Sequence, residues 1–107
     1  MKYVNVNSKS LKTTVVSKDI LPDSLQKKIN KTSVRKKMKE DHGYSAFLKP
    51  KELKFPVVDP DSGDYHCGLL YAAYVRAKQW NYNDVAKKAK KLYKDNNCKS
   101  SLGREIE

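Results

Sequence analysis

The sequence predicts a mainly α protein: a small helical domain built on an antiparallel helical hairpin, preceded by a basic helical segment and an extended N-terminal arm. Three observations predict it. Apolar residues recur at helical spacing in two consecutive stretches, about 65–79 and about 84–95. Only Asn81-Tyr82-Asn83 separates them, and a turn that short joins antiparallel helices. Seven of the ten aromatic residues lie between Leu53 and Cys98, whereas the chain before them is more polar, more basic and less periodic.

At 107 residues the chain holds one domain at most, with a small core and flanking arms. Four segments follow: an arm over 1–19, a basic helical segment over 20–43, a compact domain over 44–98 and a polar, loose tail over 99–107. In the arm, Val4 and Val6 alternate with Asn5 and Asn7, and Leu11, Thr13 and Val15 alternate after a turn-prone stretch. That pattern suits two short strands or a hairpin, and a lone hairpin gains stability by pairing with a partner's sheet edge. Tyr3, Val4, Val6 and Val15 are its candidate partner-binding residues.

Over 22–42, Leu21, Leu25 and Ile29 mark one face, and Val34 and Met38 mark another. The weak helix formers between them point to two short helices, about 22–30 and 33–42, or to one kinked helix. Asp23 or Ser24 suits the N-cap and Gly43 the C-cap. The segment 44–58 carries apolar anchors with Pro50 and Pro56, which reads as an irregular strap across the helices. Asp59-Pro60-Asp61-Ser62-Gly63-Asp64 is a turn by composition.

In the first hairpin helix, Leu70, Ala73, Tyr74 and Ala77 follow the i, i+3, i+4, i+7 rule. Leu69 and Trp80 extend that face, and Tyr71 and Val75 line another, so the helix is expected to be covered on more than one side. In the second, Asn83 is the expected N-cap. Val85, Ala86, Ala89, Leu92 and Tyr93 fall within about 120° of arc, with Lys87, Lys88, Lys90, Lys91 and Lys94 opposite.

The net charge is +11, from 23 basic against 12 acidic side chains. Residues 1–55 carry 14 basic and 5 acidic groups, and 56–107 carry 9 and 7. A basic N-terminal half points to an acidic partner, against the plainer reading of a solvated, solubilising face. Its candidate contacts are Lys27, Lys28, Lys31, Arg35, Lys36, Lys37 and Lys39. Twenty of the 23 cations are Lys, which suits non-specific attraction more than bidentate reading. The second lysine face, with Lys87, Lys88, Lys91 and Lys94, is the alternative site for a nucleic-acid phosphate backbone.

Other chemistries find little support. The turn at Asp59 fails the EF-hand template, with Asp64 where Gly belongs and Leu70 where Glu belongs. His42, His66, Cys67 and Cys98 lack zinc spacing. No phosphate loop, activated nucleophile or acid–base pair is present in the sequence, so the chain is read as a non-enzyme without metal, cofactor or small-molecule substrate. No apolar run reaches membrane length, and the start has no secretory signal pattern. Two Cys are read as free thiols in a reducing compartment. The alternative is a bridge, because antiparallel packing brings Cys67 and Cys98 to one end of the hairpin.

Lys54-Phe55-Pro56-Val57, then Gly68 to Gln79 (GLLYAAYVRAKQ) and Asp84 to Tyr93 (DVAKKAKKLY), resembles a small phage-associated domain found in tailed-phage structural proteins and prohead proteases. The whole chain looks most like a small virion protein of a crAss-like bacteriophage, of the auxiliary (decoration) capsid type. The resemblance covers about residues 44–98 and brings no catalytic residues. It implies a structural protein of the virion, present in the host cytoplasm before assembly. Its partner would be the major capsid protein or another virion protein, with the DNA backbone as a further contact and no membrane.

Overall fold

The computed structural model describes residues 21–103 and residue 106. Among them the architecture is mainly α, as the hydrophobic spacing predicts, with five helices and one two-stranded sheet. The arm residues Tyr3, Val4, Val6 and Val15 lie outside the described residues.

Helices α1 (Asp23–Ile29) and α2 (Thr32–His42) are separate, which resolves the choice between two helices and one kinked one. Asn30 and Lys31 part them, because Lys31 takes an extended conformation at the start of α2. Neither Asp23 nor Ser24 is the N-cap of α1. Pro22 holds that position with φ −59°, and Asp23 becomes the first helical residue, where its carboxylate suits the positive helix end. Gly43 follows α2 at φ +80°, in the backbone region that glycine adopts without cost.

The strap at 44–58 is more regular than expected. After a 3-10 turn at Tyr44–Ala46, strands β1 (Phe47–Lys49) and β2 (Lys54–Pro56) pair antiparallel, with Phe47 opposite Pro56 and Lys49 opposite Lys54. A 3-10 turn at Pro50–Glu52 joins them. Both prolines are tolerated because they sit in the connection and at the strand end, where no ladder donor is lost. The Asp59–Asp64 turn closes on itself: the Asp59 carboxylate accepts from the amides of Asp61 (2.8 Å) and Ser62 (3.1 Å), and Gly63 N–H donates to the Asp59 carbonyl. Two contacts fasten it to the first helices. Lys28 Nζ lies 3.0 Å from an Asp61 carboxylate oxygen, and His42 Nε2 donates to the Pro60 carbonyl at 2.9 Å.

Helices α3 (Cys67–Gln79) and α4 (Asn83–Asp95) form the predicted hairpin. The α3 helix is buried on two sides. Leu70, Ala73 and Ala77 face the main core with Met38, Phe47, Val57, Val85, Ala89 and Tyr93. Leu69 and Ala72 face a second cluster with Leu21 and Ile29. Leu69 therefore leaves the face that spacing assigned it and serves α1 instead. Alanines at 72, 73 and 77 let neighbours approach closely, and each large buried apolar side chain contributes about 1.5–3 kcal/mol. Trp80 was expected on the apolar face, but it is 69% exposed. It sits at the C-cap, where the helix ends and the periodicity no longer governs direction. Asn83 is the first residue of α4, and Tyr82 takes the N-cap without a side-chain cap.

The tail and the cysteines bring two further corrections. The loose-tail expectation gives way to helix α5 (Cys98–Leu102), and Ile106 is buried in the main core. Cys67 and Cys98 are joined in a disulfide, so the free-thiol expectation is overturned. The antiparallel hairpin sets the start of α3 beside the segment that follows α4, with Cα atoms 5.3 Å apart, inside the range a bridge requires.

Candidate functional site

The expected basic sites divide into one exposed array, one lysine-lined hollow and one cleft that sequence spacing did not reveal. In the exposed array, Lys27, Lys28 and Lys31 belong to α1 and its exit, and Lys36, Lys37 and Lys39 to α2. Of these, among the described residues, only Lys28 and Lys37 have carboxylate partners, Asp61 and Asp41. Lys39 lies over the Tyr44 ring, 5.1 Å from its centre.

Arg35 departs from that array. It is half-buried, its Nε donates to the Ile29 carbonyl at 2.7 Å, and its Nη1 donates to the Leu53 carbonyl at 2.9 Å. The guanidinium thus ties α1 to the loop before β2 and is held in one orientation. Leu53 itself has φ +54°, which turns the chain into β2, and Phe55 follows with φ +59°. Two non-glycine residues in this region each cost on the order of 1–3 kcal/mol, offset by the packing that fixes them.

That backbone course sets Phe55 in the wall of a cleft of about 330 Å³ lined by Arg35, Lys54, Phe55, Pro56, Arg76, Trp80 and Tyr82. Arg76 comes from the last turn of α3, where a cation complements the negative helix end. Burial lowers the pKa of both guanidiniums from its ordinary value, and Arg35 lowers that of Arg76 further. Among the described residues no carboxylate pairs with either. Two of the three arginines of the chain therefore meet in one place without a counter-charge from the described protein. The aromatic side is ordered: Phe55 and Tyr82 meet edge to face at 5.8 Å, and Lys49 lies over the Tyr82 ring at 4.5 Å. Phe55, Arg76, Trp80 and Tyr82 were not singled out together by sequence. They come from β2, the end of α3 and the turn after it, and no local spacing links those segments.

On α4, Lys87, Lys88, Lys91 and Lys94 are exposed as expected. Lys91 pairs with Asp95 at 2.9 Å. Lys87 is drawn together with Lys78 of α3 and Lys90 around a second hollow of about 310 Å³, which Tyr74, Asn83 and Ala86 complete.

The groups considered for metal or catalysis are placed elsewhere. His66 caps α3, its Nδ1 accepting from Leu69 N–H at 3.2 Å, and burial holds its pKa below the ordinary value against the opposing pull of Asp59. The Asp59 carboxylate is held below its own usual range by the Ser62 and Asp61 amides. Among the described residues no group of three or more His, Cys, Asp or Glu is placed to hold a metal ion, and no helix is long and apolar enough to cross a membrane. Comparison with family models, curated proteins and solved structures finds no match to this chain.

Proposed function

We propose that the protein is a non-enzymatic virion component, an auxiliary (decoration) protein of a crAss-like bacteriophage that attaches to the capsid lattice through its N-terminal arm and its basic α1–α2 segment. The reading draws on the resemblance of residues 44–98. Its carrying observation is the exposed lysine array of α1 and α2, in which only Lys28 and Lys37 are paired with described carboxylates. Such a surface fits an acidic face of a larger lattice, with long-range attraction guiding the encounter. Mass spectrometry of purified virions should find the chain at a copy number matching the capsid lattice. Its absence from virions would refute this role.

A second reading, a non-specific nucleic-acid-binding protein or one acting in host takeover, is favoured by a different observation. Lys78, Lys87 and Lys90 converge on one hollow, and Lys88 and Lys94 extend the cationic face along α4. Binding to DNA through these groups releases counterions, so affinity should fall steeply between about 50 and 200 mM salt. Absence of binding at low salt overturns it.

A further inference from the structure

The cleft between α2, β2 and the end of α3 combines features that neither lysine face has. It holds two half-buried guanidiniums with no described carboxylate against them, a third cation at Lys54, and an indole that the fold leaves 69% exposed. Like charges brought together out of water raise the free energy of the empty site, and an entering anion removes that cost. Arg35 is suited to receive one. Its Nε–H and one Nη1–H are committed to the carbonyls of Ile29 and Leu53, which leaves three N–H donors in a fixed plane.

The aromatic wall narrows the choice of anion. Tyr82 already carries Lys49 on its ring and meets Phe55 edge to face, so these two brace the wall. Trp80 stands at the turn between α3 and α4, on the rim of the same cleft. An acidic peptide supplies carboxylates for the arginines, but its Asp and Glu side chains bring no aromatic face for the indole. A duplex supplies phosphates but keeps its base faces stacked. A single strand supplies a phosphate and an unstacked base on one repeating unit. The cavity, about 330 Å³, stands at the small end of ligand sites and suits one such unit.

We infer that this cleft seats one nucleotide of a single-stranded nucleic acid, with the phosphate on Arg76 and Arg35 and the base against Trp80. The inference rests on the nucleic-acid reading above and assigns it a defined binding point, distinct from the lysine hollow at Lys78, Lys87 and Lys90.

Trp80 is the sole tryptophan of the chain, so its fluorescence reports on the cleft directly. The full-length protein, with its disulfide intact, is titrated with single-stranded octathymidylate. Parallel titrations use a DNA duplex, an acidic octapeptide and inorganic phosphate. The single strand should quench the indole, and the other three should not at equal concentration. Anisotropy of a labelled octathymidylate then measures affinity in variants. Trp80→Leu should weaken binding about 5- to 150-fold, the range expected for loss of one stacked base. Arg76→Gln should weaken it and shift the quenching curve to higher concentration. Trp80 is exposed, so its variant keeps the core, and circular dichroism verifies the fold of both. Salt-dependent binding without quenching, unchanged in both variants, overturns the cleft and leaves the nucleic-acid reading standing. Quenching by the acidic peptide or the duplex as strong as by the single strand overturns the assignment of ligand. No binding of any nucleic acid at low salt overturns both.

Discussion

His66 links one side chain to the pH response of the fold. Its neutral Nδ1 accepts the Leu69 amide at the start of α3, and burial keeps its pKa below the ordinary value of 6.5. The unfolded chain therefore binds a proton that the folded chain resists. Stability from this group is complete above about 6.5 and is lost as pH falls from there towards the lower folded value. Asp59, also depressed, acts only further down, below its ordinary 3.8. Thermal melting from about pH 7 to pH 5 should show a falling Tm, and His66→Asn, which keeps a cap but does not titrate, should flatten that fall. An equal slope in the variant would assign the effect elsewhere. Nothing in the local sequence announces His66 as a cap, because histidine is not among the usual cap residues. Arg35 is similar. In the sequence it stands among lysines, and only the return of the chain to Leu53, 18 residues on, gives its guanidinium a fixed place.

At the scale of elements, long amphipathic periods were legible and short pieces were not. The α3–α4 hairpin follows from Leu70, Ala73 and Ala77 facing Val85, Ala86 and Ala89. Strands β1 and β2 have three residues each, too few for an alternation to stand out beside Pro50 and Pro56. Helix α5 has five residues and is held by tertiary contact, with Cys98 fully buried and linked to Cys67. The link closes a loop with a sequence separation of 31, which by chain entropy stabilises the fold by about 3–4 kcal/mol. Reduction, or the Cys67→Ser/Cys98→Ser double variant, should lower unfolding stability by about that amount in urea titration, with the mainly helical circular dichroism spectrum retained in water. An unchanged midpoint would show that the bridge does not constrain the unfolded chain.

The whole molecule pairs an apolar interior with a surplus of cations. Among the described residues no charged side chain is fully buried, and the two core clusters meet across α3. The charge bias and the helical class could be read from the sequence, because both are sums over many residues. The cleft could not, because it gathers Arg35, Phe55, Arg76 and Trp80 from segments whose adjacency is a property of the assembled fold. The disulfide adds a mechanical consequence at this scale. Tension applied to the segments before Cys67 and after Cys98 passes through the sulfur–sulfur bond rather than along α3 and α4. The hairpin is thus out of the load path. About 100 Å of chain contour, 31 residue steps of roughly 3.3 Å, cannot be drawn out by pulling while the bond is intact. A pull that extends both flanks would therefore leave the central hairpin folded.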